Sequence, residues 1–175
     1  VAMAATKLGV HSRIVMPRTT PGIKVDAVRR FGGEALLEGD TYDEAATLAN
    51  RIREEEGRVF IHAYDDLDVI AGQGTVAVEI LRQHPETIDA IFVPVGGGGL
   101  SAGIAAYVRR VSPQARVMGV EPADAACLAA ALAAGDCVDV GPVGLFADGV
   151  AVRQSGAKAF EIVRDLVEEV VTVGI

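Results

Sequence analysis

The stretch from Ile91 to Arg110, IFVPVGGGGLSAGIAAYVRR, holds the residues whose type and spacing best suit chemistry. A short apolar run, Ile91–Val95, reads as a strand, and helical spacing resumes near Ser101. Four glycines, Gly96, Gly97, Gly98 and Gly99, lie between them. Each sacrifices roughly 0.5–1 kcal/mol of backbone entropy relative to alanine. A tight turn needs only one or two. The full run leaves main-chain amides, through Leu100, free to curl around an anion at the positive end of a helix dipole. Hydrogen bonds to a charged acceptor contribute about 1.5–3 kcal/mol each, so three or four offset the entropy. The pattern predicts a phosphate cradle.

Three motifs compete for that loop. A Walker-type loop ends in Gly-Lys-Ser/Thr, whereas this one ends Gly99-Leu100-Ser101, and that reading fails. Gly97-x-Gly99-x-x-Ala102 fits a dinucleotide fingerprint, with Glu121 near where a ribose-binding acid belongs. Several strand-like runs precede it, however, and that fingerprint usually opens the first strand–helix unit. Gly99-x-Ser101-x-Gly103 spells a nucleophile elbow, whose histidine follows the serine. His11, His62 and His84 all precede Ser101, so Ser101 is expected to be a helix N-terminal residue beside the anion. Cys127 and Cys137 are not at metal-site spacing and read as free thiols in a reducing cytoplasm.

The elements that must position the loop alternate along the chain. Strands are expected at Arg13–Pro17, Ala35–Leu37, Val59–His62, Ile91–Val95, Val117–Val120 and Val170–Val173. Between them, helix starts are signalled by Thr20-Pro21 and by Thr41 with Glu44 at capping-box spacing. Gly72-Gln73-Gly74-Thr75 is expected to open a further helix, which carries Ala77, Ile80 and Leu81 on one face. Apolar strands separated by helices predict an α/β fold, with parallel sheets covered by helices on both faces.

Half of the 175 residues are hydrophobic and the formal net charge is −8. This is an ordinary globular composition. Without a basic run it argues against nucleic-acid or anionic-membrane partners. The opening VAMAATKLGV reads as the last turns of a helix and not as a signal peptide, and EEVVTVGI as a strand with nothing after it. The chain is expected to be an internal fragment.

The segments VPVGGGGLSAGIA, KVDAVRRFGGE, VIAGQGT, GVEPADAACL and GLFADGVAVRQ together resemble the threonine dehydratases (threonine ammonia-lyases). These belong to the tryptophan-synthase-β-like, fold type II class of pyridoxal-phosphate enzymes. The resemblance implies an incomplete two-domain core: residues 1–64 as most of a small mobile domain and 65–175 as part of the larger cofactor-binding domain. It implies that Gly96, Gly97, Gly98, Gly99 and Leu100 hold the phosphate of pyridoxal 5'-phosphate. The Schiff-base lysine and an asparagine-bearing Ser-x-Gly-Asn-His motif are implied upstream of Val1. A serine or threonine facing the pyridine nitrogen is implied beyond Ile175. No catalytic residue is therefore assigned here, and Lys24 is read as a solvated surface residue.

The implied reaction is β-elimination of threonine to 2-oxobutanoate and ammonia in a cytoplasmic homo-oligomer, on the biosynthetic branch that leads to isoleucine. A serine dehydratase or serine racemase is the nearest alternative. A self-contained, non-enzymatic phosphate- or nucleotide-binding module is the alternative from another class. The resemblance further places Asp148-Gly149 at a turn near the cofactor ring, where a plain loop turn is an equal reading. It places Glu121 where related racemases bind a divalent cation, but Cys127 stands where they carry an acid, so no metal site is assigned.

Overall fold

The computed structural model describes residues 1–174. The chain divides into two compact units, Val1–Ile61 and His62–Ile175. Tyr64 and Asp65 bond to residues of the second unit.

The first unit runs α1 (Ala2–Lys7), β1 (Arg13–Met16), α2 (Gly22–Arg30), β2 (Glu34–Leu37) and α3 (Tyr42–Glu56). β1 and β2 pair in parallel with Arg13 opposite Glu34 and Met16 opposite Leu37. The predicted capping box forms. The Glu44 amide donates to Thr41 Oγ1 at 3.3 Å, and the Thr41 amide donates back to Glu44 Oε2 at 3.3 Å. Arg13 ties both strands to α3 through Glu34 (2.9 Å) and Glu56 (2.6 Å).

Two local expectations fail in this part of the chain. Pro21, not Thr20, occupies the N-cap of α2, with no side-chain cap. Val59–His62 is not a strand. No described strand pairs with it, and Val59 is 87% exposed, so composition alone does not make it extended sheet.

The second unit runs α4 (Leu67–Gln83), β3 (Ala90–Pro94), α5 (Gly99–Val111), β4 (Arg116–Pro122), α6 (Cys127–Ala134), a 3-10 turn (Asp148–Val150), α7 (Ala157–Leu166) and β5 (Glu169–Val173). Its sheet is parallel, in the order β3-β4-β5, with Ile91 opposite Val117 and Met118 opposite Glu169. Side chains alternate along a strand, so Ile91, Val93 and Val95 turn inward while Phe92 is exposed. Val93 packs with Ile104, Val108 and Val117, and Val95 with Leu128, Phe160 and Val163. Each such side chain contributes about 1.5–3 kcal/mol when fully buried. The helices are thereby fixed against the strand that launches the glycine loop.

α4 begins before the glycines expected to open it. Asp66 is its N-cap, and its Oδ1 accepts from the amides of Asp68 (2.9 Å) and Val69 (3.1 Å). Gly74 instead lies inside the helix, where it meets Gly103 of α5. A Cβ on Gly103 would strike the Ile70 carbonyl, so the two helices approach to backbone contact. No helix of the described residues is long and apolar enough to cross a membrane.

Candidate anion site and its cofactor family

The glycine run leaves β3 at its carboxyl end, where open parallel sheets place their ligands. Val95 closes the ladder by donating to the Val120 carbonyl at 2.9 Å, and the chain then turns. Gly98, at φ +92°, is the N-cap of α5. A side chain at that angle is strained. Gly97, Gly98 and Gly99 are buried, whereas Gly96 and Leu100 are partly exposed.

Among the described residues, no acceptor meets the amides of Gly96, Gly97, Gly98, Gly99, Leu100 or Ser101. Buried amides are nearly always paired, so this set is conspicuous. The carbonyls of the same loop are satisfied. Gly96 O accepts from the Cys127 thiol (3.4 Å) and Gly97 O from the Gly156 amide (2.9 Å). Gly98 O accepts from the Ser101 hydroxyl (2.9 Å) and the Ala102 amide (2.9 Å). A trans peptide points its C=O and N–H in opposite directions. Pinning three successive carbonyls on protein groups therefore turns the next three amides away from those groups.

Part of the glycine requirement has a different origin. A Cβ on Gly97 would enter the ring of Tyr64, and one on Gly99 would meet the Tyr64 backbone. The Tyr64 hydroxyl reaches the Gln154 carbonyl at 3.5 Å, and its ring packs edge-on to His62 with centroids 4.8 Å apart. Gly97 thus makes room for an aromatic ring, and Gly99 for the backbone that carries it. Val150 and Val152, just after Asp148-Gly149, pack against Gly96.

His62, Tyr64 and Asp65 were missed as site residues. His62 Nδ1 accepts from the amides of Tyr64 (3.2 Å) and Asp65 (2.9 Å) and so fixes the turn that carries the tyrosine. Burial pushes the His62 ionisation below its usual value, against the raising effect of Asp65 and Asp66. The Asp65 carboxylate accepts from the amides of Ala157, Lys158 and Ala159 at the start of α7. An acidic residue followed by a helix start was the available signal, but it points only to the neighbouring helix α4.

Ser101 is fully buried and donates to Gly98 O. It is a helix N-terminal residue, not an exposed nucleophile. Glu121 is also fully buried, and both its oxygens are occupied: Oε1 by the Leu128 amide (2.8 Å) and Oε2 by the Ala129 amide (2.9 Å). It cannot reach a ribose, which removes the acid that the dinucleotide reading required. Desolvation raises the Glu121 ionisation, partly offset by those two amides and by the Cys127 side chain. Desolvation and the nearby Glu121 charge push the Cys127 thiol up to about 12, so it stays a protonated donor. Cys127 and Cys137 are both free. A cavity lined by Ile80, His84, Thr87 and Ile91 lies at the amino end of β3, away from the loop.

A helix N-terminus with amides that meet no protein acceptor among the described residues, at the carboxyl end of a parallel sheet, marks an α/β protein. Residues 1–174 match the model of the pyridoxal-phosphate dependent enzymes, and the chain belongs to that family. It is 50% identical over 176 residues to a biosynthetic L-threonine dehydratase of Burkholderia multivorans, covering 99% of this chain and 35% of that protein. It is 55% identical over 173 residues to a chloroplastic biosynthetic threonine dehydratase of Arabidopsis thaliana, covering 99% and 29%. Among solved structures, threonine deaminase isoform 2 of Solanum lycopersicum superposes with a TM-score of 0.91 at 45% identity, covering 99% of this chain and 50% of that one. Maize serine racemase does so at 0.91 and 37%, covering 99% and 52%. The chain spans about a third of the length of the curated relatives it matches.

Proposed function

We propose that this chain is part of the catalytic core of a pyridoxal-phosphate-dependent threonine dehydratase, and that Gly96, Gly97, Gly98, Gly99 and Leu100 hold the phosphate of the coenzyme. The observation that carries the reading is the set of unpaired amides in a largely buried loop at the N-terminus of α5. Such a set fits a phosphate dianion. The 47–55% identity to threonine dehydratases supports the choice of substrate.

In the whole protein, bound pyridoxal phosphate would supply an electron sink for chemistry at the amino acid's α-carbon. The residues of this chain bind and orient. The loop amides anchor the phosphate, the α5 dipole favours its charge, and Tyr64 walls one side of Gly97. None of the residues described here moves the substrate proton. Residues 1–61 correspond in this reading to the small domain, and residues from 62 onward to the cofactor-binding domain. The product is 2-oxobutanoate with ammonia, formed in a homo-oligomer, and the two free thiols suit a reducing compartment such as the cytoplasm.

The test is an assay of the full-length protein with threonine and serine, following keto-acid release and the visible absorbance of the coenzyme. Threonine is expected to give the higher kcat/KM. The likeness to maize serine racemase favours the second reading, for which the signature is conversion of L-serine to D-serine. Purified protein with no coenzyme absorbance and no uptake of added pyridoxal phosphate would overturn both.

A further inference from the structure

We infer that Cys127 is a positioning residue for the phosphate loop: its thiol holds the Gly96 carbonyl and thereby aims the Gly97 amide at the anion. This rests on the phosphate-binding reading above and adds a residue to it. Gly96 is the first residue past the β3–β4 ladder, so the strand no longer fixes its peptide plane. The Cys127 thiol is its only protein donor among the described residues, at 3.4 Å. Because the carbonyl of Gly96 and the amide of Gly97 share one plane and point oppositely, this single bond sets the direction of the first buried amide in the loop.

The thiol is itself held in place. Cys127 is fully buried at the first position of α6. That helix start is gripped by Glu121 through the amides of Leu128 and Ala129. Glu121 thus holds the helix that carries the thiol, and it also interacts with the thiol itself as a second acceptor beside Gly96 O. The Gly156 amide and the Ser101 hydroxyl do for the next two carbonyls what Cys127 does for Gly96.

The experiment compares Cys127→Ala with Cys127→Ser in the full-length protein. Both remove the sulfur volume, so their packing losses are similar, but only serine retains a donor. Affinity for pyridoxal phosphate is read by titration, and the ³¹P resonance of the bound phosphate reports its hydrogen bonds directly. One lost hydrogen bond corresponds to a weakening of roughly threefold to tenfold. Cys127→Ala is expected to show that loss with a shifted ³¹P line, and Cys127→Ser to recover most of the affinity and the wild-type line. Equal affinities and identical ³¹P positions for the two variants would overturn the inference while leaving the phosphate site intact. A wild-type protein whose added coenzyme keeps the ³¹P line of the free molecule would overturn both the site and the role of Cys127.

Discussion

Gly97 carries two demands at once: its amide meets no protein acceptor among the described residues, as the proposed phosphate contact requires, and its missing side chain admits the Tyr64 ring. Gly97→Ala forces the loop or the ring to move, and loss of one or more charged hydrogen bonds weakens binding by about tenfold to a hundredfold. The expected outcome is that drop in pyridoxal phosphate affinity by titration, with partial recovery when Tyr64→Ala is added. Wild-type affinity in Gly97→Ala would rule the loop out as the phosphate site. His62 makes the same region sensitive to acid. Its neutral Nδ1 accepts two amides, and its ionisation lies below the usual value of 6.5. The unfolded chain therefore binds the proton more readily. Stability from this group is complete above about pH 6.5 and is lost as pH falls through the lowered value. Urea midpoints measured from pH 7.5 to 5 are expected to fall, and His62→Asn, which keeps an acceptor but cannot titrate, is expected to flatten that part of the profile.

At the scale of elements, the site depends on how helix starts are satisfied. α3 is capped from its own sequence by Thr41 and Glu44. α7 is capped from far away: Asp65 serves three of its first amides across more than ninety residues of chain. Gly156 is bare there because a Cβ would meet the Asp65 carboxylate, and its own amide bonds to Gly97 O. Asp65→Ala is expected to destabilise the protein by about 0.5–2 kcal/mol, the usual range for a lost cap, measured by urea denaturation. It should also loosen the loop carbonyl that Gly156 pins. An unchanged urea midpoint would mean that solvent replaces Asp65 at no net loss.

Across the chain as a whole, a phosphate at the glycine loop would meet an unfavourable field. The formal net charge of these 175 residues is −8, so their own side chains would repel a phosphate at long range, and the proposed hold on it comes from short-range amide bonds. Screening weakens the long-range term, over a distance of about 10 Å at 0.1 M salt, and leaves close bonds largely intact. Affinity for pyridoxal phosphate is therefore expected to stay level or rise slightly between low and high sodium chloride. A steep fall with salt, the behaviour of phosphate sites built from lysine and arginine, would mean that basic side chains carry the anion instead.

Much of the fold was legible because the signals are local. The alternation of strands and helices, the Thr41–Glu44 box and the glycine run at the end of β3 are each written within a few residues. Where the local signal needed a distant partner it misled: Val59–His62 has strand composition but no strand beside it, and Gly72–Thr75 looks like a helix start but gives α4 its close contact with α5. The site divides the same way. That bare amides meet a helix N-terminus at Gly96–Leu100 is written in the glycine run and the helical spacing after it. Which way those amides face depends on folding, through Cys127 thirty-one residues from Gly96 and through the Gly156 amide on Gly97 O. Hydrogen bonds between groups so far apart in the chain leave no periodicity and no spacing rule in the sequence, because packing and not local propensity brings them together.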